Sequence, residues 1–157
     1  MLQRPQTLFL ALTICMMLLA LFTNNWHKAS LDGSQQAVQN AFQLTISGTG
    51  DSPVTHQRYY IAFALLLVAG LAGWSISQFK NRLLQMKIGF GITLSIASAL
   101  VGMMAGSKEG ETLLEPTVLG VYEIGFYAPF IALFSNIITN RLIRKDERLV
   151  RSMDRIR

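Results

Sequence analysis

The chain has 157 residues, of which 51% are hydrophobic and 15% are charged, and it contains one cysteine. With a mean hydropathy of +0.36 it is too apolar for an ordinary soluble domain, and a lone cysteine excludes an internal disulfide or a cysteine metal cluster. The net charge of +5 would indicate nucleic acid only on a soluble fold with a basic face, whereas here the basic residues flank apolar segments. We therefore expect a membrane protein that binds no nucleic acid.

Four apolar segments predict four transmembrane helices, because each is long enough to cross a hydrocarbon core of about 30 Å. The first has no charged residue between Pro5 and Trp26. We interpret it as an uncleaved anchor, because the TNNWHKAS that follows lacks the small-x-small pattern of a signal-peptide cleavage site. The predicted fold is an all-α membrane protein, a four-transmembrane-helix bundle formed by a single domain over 1–157. Its spans lie at about 5–26, 59–79, 88–107 and 124–142.

The segment 24–58 between the first two spans contains a predicted β-strand. Phe42, Leu44 and Ile46 alternate with polar residues, which is the period of a half-buried strand. Because a lone strand is not stable, we expect it to pair with TVLGVYE at 117–123 in a small two-stranded cap. The alternative is a mobile loop.

Small residues at helical spacing on the third span predict close helix packing, since they let two backbones approach. The simplest interpretation is packing against the second span, and a homodimer through Gly102 and Gly106 is the alternative. The predicted packing residues are Gly91, Ser95, Gly102 and Gly106.

A carboxylate interrupts the last apolar segment at Glu123. Either the helix begins near Pro116 and buries Glu123, or it begins near Ile124 with Glu123 at the interface. We favour the start near Ile124, because an unpaired carboxylate inside the bilayer costs several kcal/mol.

The segment 141–157 predicts an amphipathic helix with seven bases and three acids, because its apolar residues recur every seven positions. The recurring residues are Leu142, Leu149 and Ile156, and likewise Ile143 and Val150. The bases would attract anionic lipid, but the acids would weaken that attraction. We therefore favour a surface that docks a membrane-protein partner, formed by this tail and the turn before the third span, over a plain lipid anchor. The predicted partner- or lipid-docking residues are Lys80, Arg82, Lys87, Arg144, Lys145, Asp146, Glu147, Arg151, Asp154 and Arg155.

The basic residues also predict the orientation, because loops rich in Lys and Arg stay in the cytoplasm. One side of the predicted membrane carries eleven of the fourteen Lys and Arg residues. We therefore expect a multi-pass protein of a bacterial inner membrane with both termini in the cytoplasm. The eleven residues are Arg4, Lys80, Arg82, Lys87, Arg141, Arg144, Lys145, Arg148, Arg151, Arg155 and Arg157.

The sequence contains no residue pattern that indicates catalysis, such as H-E-x-x-H or a Ser/His pair of the rhomboid kind. We therefore predict no enzyme activity and no cofactor. His27 and His56 would supply only two metal ligands, too few for a good site. The alternative function is a small transporter or channel component with Glu123 as the ion-handling group.

The opening MLQRPQT, the turn FKNRLLQMK and the end IRKDERLVRSMDRIR resemble a Bacteroidota family of four-helix inner-membrane proteins of unknown function, domain of unknown function 4293. Gln3 and Arg4 match the opening, Arg82 matches the turn and Asp154 matches the end, whereas Pro5 stands where that family has an apolar residue. The resemblance covers nearly the whole chain and implies a topology and a compartment but no activity. The leading expectation is a small accessory or scaffold subunit of an inner-membrane assembly, without chemistry of its own.

Overall fold

The computed structural model describes residues 5–48, 52–78, 81–114 and 118–154, with side chains up to Leu149. Its four long helices are apolar enough to cross a membrane, which confirms the four predicted apolar helices. The helices are α1 (Pro5–Phe22), α2 (Tyr59–Ser77), α3 (Arg82–Leu113) and α4 (Ile124–Asp154). The strands are β1 (Trp26–Ala29), β2 (Gln35–Gln39), β3 (Gln43–Gly48), β4 (Val54–Gln57) and β5 (Val121–Tyr122).

The helices form an antiparallel bundle in which each helix packs against its neighbours in chain order and α4 closes the ring against α1. Apolar side chains such as Leu10, Leu65 and Ile92 fill the centre and are almost fully buried. Other large apolar side chains, such as Phe90 and Phe134, point outward and are about two-thirds exposed or more, as expected for contact with acyl chains. We call the end that carries the strands the sheet end, and the opposite end, where α2 ends and α3 begins, the tail end.

The strands form one five-stranded antiparallel sheet in the order β4-β3-β2-β1-β5, so the chain is mostly helical rather than all-α. The predicted strand is confirmed as β3, and Leu44 is fully buried, although Phe42 lies before the strand and is 37% exposed. The predicted pairing with 117–123 is wrong. Strand β3 pairs with β2 and β4, whereas β5 pairs with β1. Short polar strands provided these partners, and their sequences carry little apolar alternation.

Trp26 of β1 holds the sheet against the bundle. Its indole is 1% exposed and lies between Gly110 at the end of α3 and Gly120 before β5. A Cβ at Gly110 would come within 2.5 Å of the indole, and one at Gly120 would collide with it. Both glycines are therefore needed for the large ring to fit, and Trp26 packs with Leu44 and Leu114 in a small apolar cluster.

Two ion pairs join the sheet end to the last turns of α3, which extends from Arg82 to Leu113 and so exceeds the predicted span of 88–107. The Lys28 ammonium, whose side chain is fully buried, donates to the Glu111 carboxylate at 2.8 Å and to its backbone carbonyl at 3.1 Å. The Arg58 guanidinium donates to the Glu109 carboxylate. Both acidic residues near the end of α3 are thus paired with cations at the sheet end, which offsets the cost of burying charge there.

The small residues of α3 contact two different elements. A Cβ at Gly102 would lie 2.8 Å from the Tyr60 ring in α2, whereas a Cβ at Gly91 would meet Leu71 of α2 at an ordinary 3.8 Å. Gly106 faces the sheet instead, with its Cβ position 2.6 Å from the Gln39 amide. Ser95 is half-buried on α3. The glycine pair Gly102 and Gly106 is therefore occupied by contacts within the chain.

Candidate docking surface at the tail end

The last part of α4 continues beyond the bundle's apolar region as part of one helix, Ile124–Asp154. Ile143 fixes this extension to the bundle, since only 1% of its side chain is exposed. The Arg82 guanidinium in the first turn of α3 donates to the backbone carbonyl of Asp146 at 2.6 Å. The structure therefore brings the predicted turn and tail together, through a main-chain carbonyl and not through the Asp146 carboxylate.

Bases and acids of the tail lie on different faces of α4. Because a helix turns about 100° per residue, the spacing of 141, 144, 145 and 148 places these four residues on one stripe. The four residues of this stripe, Arg141, Arg144, Lys145 and Arg148, are all exposed. Asp146 and Glu147 flank the buried Ile143 and are half-buried. The side of the tail that faces away from the bundle is therefore basic.

Two open depressions border this stripe. The larger has a volume of about 520 Å³ and is lined by Arg141, Arg144, Lys145, Arg148 and Leu149. The smaller, of about 190 Å³, lies toward α3 and is lined by Met86, Arg144, Glu147 and Arg148. Arg144 and Arg148 border both depressions. The smaller depression also has the Glu147 carboxylate in its wall, whereas the larger has the apolar side chain of Leu149.

Some predicted docking residues lie elsewhere. Lys87 is exposed on α3. Lys80 and Arg155 lie outside the described residues, and for Arg151 and Asp154 the description covers the helical backbone alone. Of the predicted apolar stripe of the tail, Leu149 is 55% exposed and lines the larger depression. Ile143, on the same predicted stripe and 100° round the helix from Leu142, is the side chain that is buried.

A family model described as Domain of unknown function (DUF4293) matches residues 2–156. The chain belongs to this family. The match confirms the family resemblance of the opening, the turn and the end of the sequence, and the family's description assigns no activity. A comparison with curated proteins found no match.

Sequence reasoning missed a group of polar side chains between α3 and α4 of this DUF4293 chain. Asn136 is fully buried, and its Nδ2 donates to the backbone carbonyl of Gly89 at 2.8 Å. Asn140, one turn later, lies directly over Gly89, where a Cβ would collide with the amide. The amide oxygens of Gln85, Asn136 and Asn140 are buried and accept no hydrogen bond from any part of the chain that is described. The signal in the sequence was two asparagines four residues apart in an apolar segment.

Glu123 and the two histidines stand at the sheet end. Glu123 is half-buried directly before α4, and its N–H donates to the backbone carbonyl of Asn25 at 3.0 Å. His27 lies in β1 and His56 in β4, three strands apart in the sheet, which is about 14 Å at the usual strand spacing. His56 Nδ1 lies 3.7 Å from the Glu109 carboxylate. Within the ranges that the structure describes, no three His, Cys, Asp or Glu residues are grouped as metal ligands.

Proposed function

We propose that this DUF4293 protein is a small accessory or scaffold subunit of an assembly in a bacterial inner membrane, in an organism of the Bacteroidota, with both termini in the cytoplasm. The observation that carries the proposal is the ordered extension of α4 beyond the bundle, fixed by Ile143 and by the bond from Arg82 to the Asp146 carbonyl. A surface that is already ordered loses little conformational entropy when a partner binds. The basic residues at this end support its placement in the cytoplasm.

The partner would lie across the seam between α3 and the tail, where Asp146 and Glu147 flank the buried side of α4 and Met86 of α3 lies beside Arg144, Glu147 and Arg148. This part of the surface carries both signs of charge, which favours a protein with complementary charges. In this arrangement Asp146 and Glu147 would pair with basic residues of the partner, whereas in a plain lipid anchor they would only weaken the attraction to anionic lipid. The alternative function, ion handling by Glu123, has the half-buried position of that carboxylate in its favour.

The test is co-purification from native membranes with the wild-type chain and with the triple variant Asp146→Asn, Glu147→Gln, Asp154→Asn, at equal membrane abundance. We expect the variant to lose the partner, because each exposed ion pair contributes up to about 1 kcal/mol, or about fivefold in affinity. Asp32→Asn serves as the matched control, since this acid lies in the turn between β1 and β2 at the sheet end. Equal partner recovery by the wild type and the triple variant would contradict the proposal.

A further inference from the structure

Along the outward face of α4, exposed apolar residues are followed by exposed basic residues on the same side of the helix. Exposed side chains of Phe130, Phe134 and Ile138 run along the helix, at 38%, 66% and 39% exposure. At 100° per residue the same stripe continues directly into Arg141 and Lys145. A surface that contacts acyl chains therefore leads, within about two turns, into a row of cations.

This sequence of surfaces matches the order of parts in a phospholipid. Acyl chains would lie on the phenylalanine and isoleucine side chains, and the phosphate would reach the level of Arg141 to Arg148. These residues span about 10 Å along the axis at 1.5 Å per residue, enough to cover the headgroup layer of about 5–8 Å on one side of a bilayer. The depression of about 520 Å³ beside them is lined by all four bases and by Leu149, so it offers cations and an apolar wall to one ligand.

We propose that this stripe is a binding site for one anionic phospholipid of the adjacent leaflet, with its chains along Phe134 and Ile138 and its phosphate held by Arg141, Arg144, Lys145 and Arg148. The segregation of charge carries the proposal. Asp146 and Glu147 face the bundle side of the helix, so the acids that would weaken lipid binding are largely removed from this face. Arginine is suited to the phosphate because its planar fork donates two hydrogen bonds to two oxygens.

The inference deepens the proposed docking role of the tail and rests on it for the cytoplasmic position of these bases. It assigns the two faces of the tail to different occupants. Lipid phosphate binds the outward basic face, and the partner protein binds the seam with α3. The lipid experiment therefore uses purified protein, in which no partner is present, so that its failure and the failure of the co-purification experiment are separate results.

The test compares thermal unfolding of the purified chain in an uncharged detergent, with added phosphatidylglycerol or with phosphatidylcholine of the same acyl chains. We expect phosphatidylglycerol to raise the melting temperature by about 5 °C at saturation, because it binds the folded state, and phosphatidylcholine to raise it much less. Replacing all four bases with glutamine should abolish the difference between the two lipids. The control variant Lys87→Gln, Lys108→Gln, which changes exposed bases off the stripe, should keep it.

Two further measurements keep the proposal open to refutation. If the fourfold variant does not fold, Arg144→Gln with Arg148→Gln removes the two residues that border both depressions, and the lipid retained after purification is counted by phosphorus analysis. Inorganic phosphate at the same concentration should produce no comparable shift. An equal shift with phosphate would show a free-anion site instead of a lipid site, and a wild type that responds equally to both lipids would overturn the proposal.

Discussion

Lys28 has no exposed side-chain surface, and its side-chain nitrogen lies 2.8 Å from the Glu111 carboxylate at the junction of the sheet and the bundle. Three hydrogen bonds make this possible: two from its ammonium to Glu111 and one from the Gly120 N–H, at 2.7 Å, to the other oxygen of the Glu111 carboxylate. Burial raises the pKa of Glu111, but the bonds from Lys28 and Gly120 outweigh burial and hold that pKa below its ordinary value. Glu111 therefore remains ionised and stabilises the folded state.

Glu111→Gln should lower the free energy of unfolding at neutral pH by about 2 kcal/mol, because the Lys28 ammonium stays buried without its counter-charge. The figure is below that for a fully buried pair, since 29% of the Glu111 side chain is exposed. Thermal unfolding in detergent measures the change, and Asp32→Asn, which alters an exposed acid, is the control.

The same carboxylate predicts a pH dependence. Because the folded-state pKa of Glu111 is below the ordinary value of 4.5, its contribution is complete above about pH 4.5 and is lost as the pH falls through the folded-state pKa. As the pH falls from about 4.5 to below the folded-state pKa of Glu111, the wild type should lose more stability than Glu111→Gln does. Parallel curves for the two proteins would show that this carboxylate has no role in acid stability.

At the scale of elements, the packing of α2 against α3 depends on the absence of a side chain at Gly102. Gly102→Leu should lower the melting temperature and cost about 2 kcal/mol, because the new side chain meets the Tyr60 ring and Ile61. Gly73→Leu is the matched control: Gly73 is a helical glycine of α2, exposed, with nothing within 4 Å of its Cβ position. If the two variants have equal melting temperatures and helix contents, the contact at Gly102 is not important for stability.

The helices were predictable because long apolar segments are local signals, and β3 because its alternation is also local. The remainder of the sheet was not. Strand β1 has only the four residues WHKA. Its buried lysine fits no hydropathy pattern of a strand, because the partner that makes burial possible, Glu111, lies 83 residues further along the chain. The charged residues at the tail end were predictable from the sequence, but their division between an outward basic face and a seam with α3 was not. The sevenfold repeat predicted a broad apolar stripe, but it could not show that Ile143 of that stripe is buried while Leu149 is exposed, because burial depends on where the tail meets the bundle.

For the molecule as a whole, the two ends of the bundle should lie on opposite sides of the membrane. In a Cys15→Ala background, Leu31→Cys at the sheet end and Leu149→Cys at the tail end place single thiols at positions that are 78% and 55% exposed. An impermeant thiol reagent should label Leu31→Cys in intact cells whose outer membrane is made permeable, and Leu149→Cys only after lysis, because the bases cluster at the tail end. The opposite labelling pattern would invert the proposed orientation.

Helix α4 is fixed at both ends of the molecule. At the sheet end the Gly125 N–H donates to the Asn24 carbonyl at 3.0 Å, and at the tail end Arg82 holds the Asp146 carbonyl. Its 31 residues form a rod about 46 Å long at 1.5 Å per residue. If α4 moves as a straight rod, a tilt of the helix at the sheet end also displaces the tail end on the far side of the bilayer. Pro129 donates no helical hydrogen bond, so a bend at this residue would absorb that displacement instead.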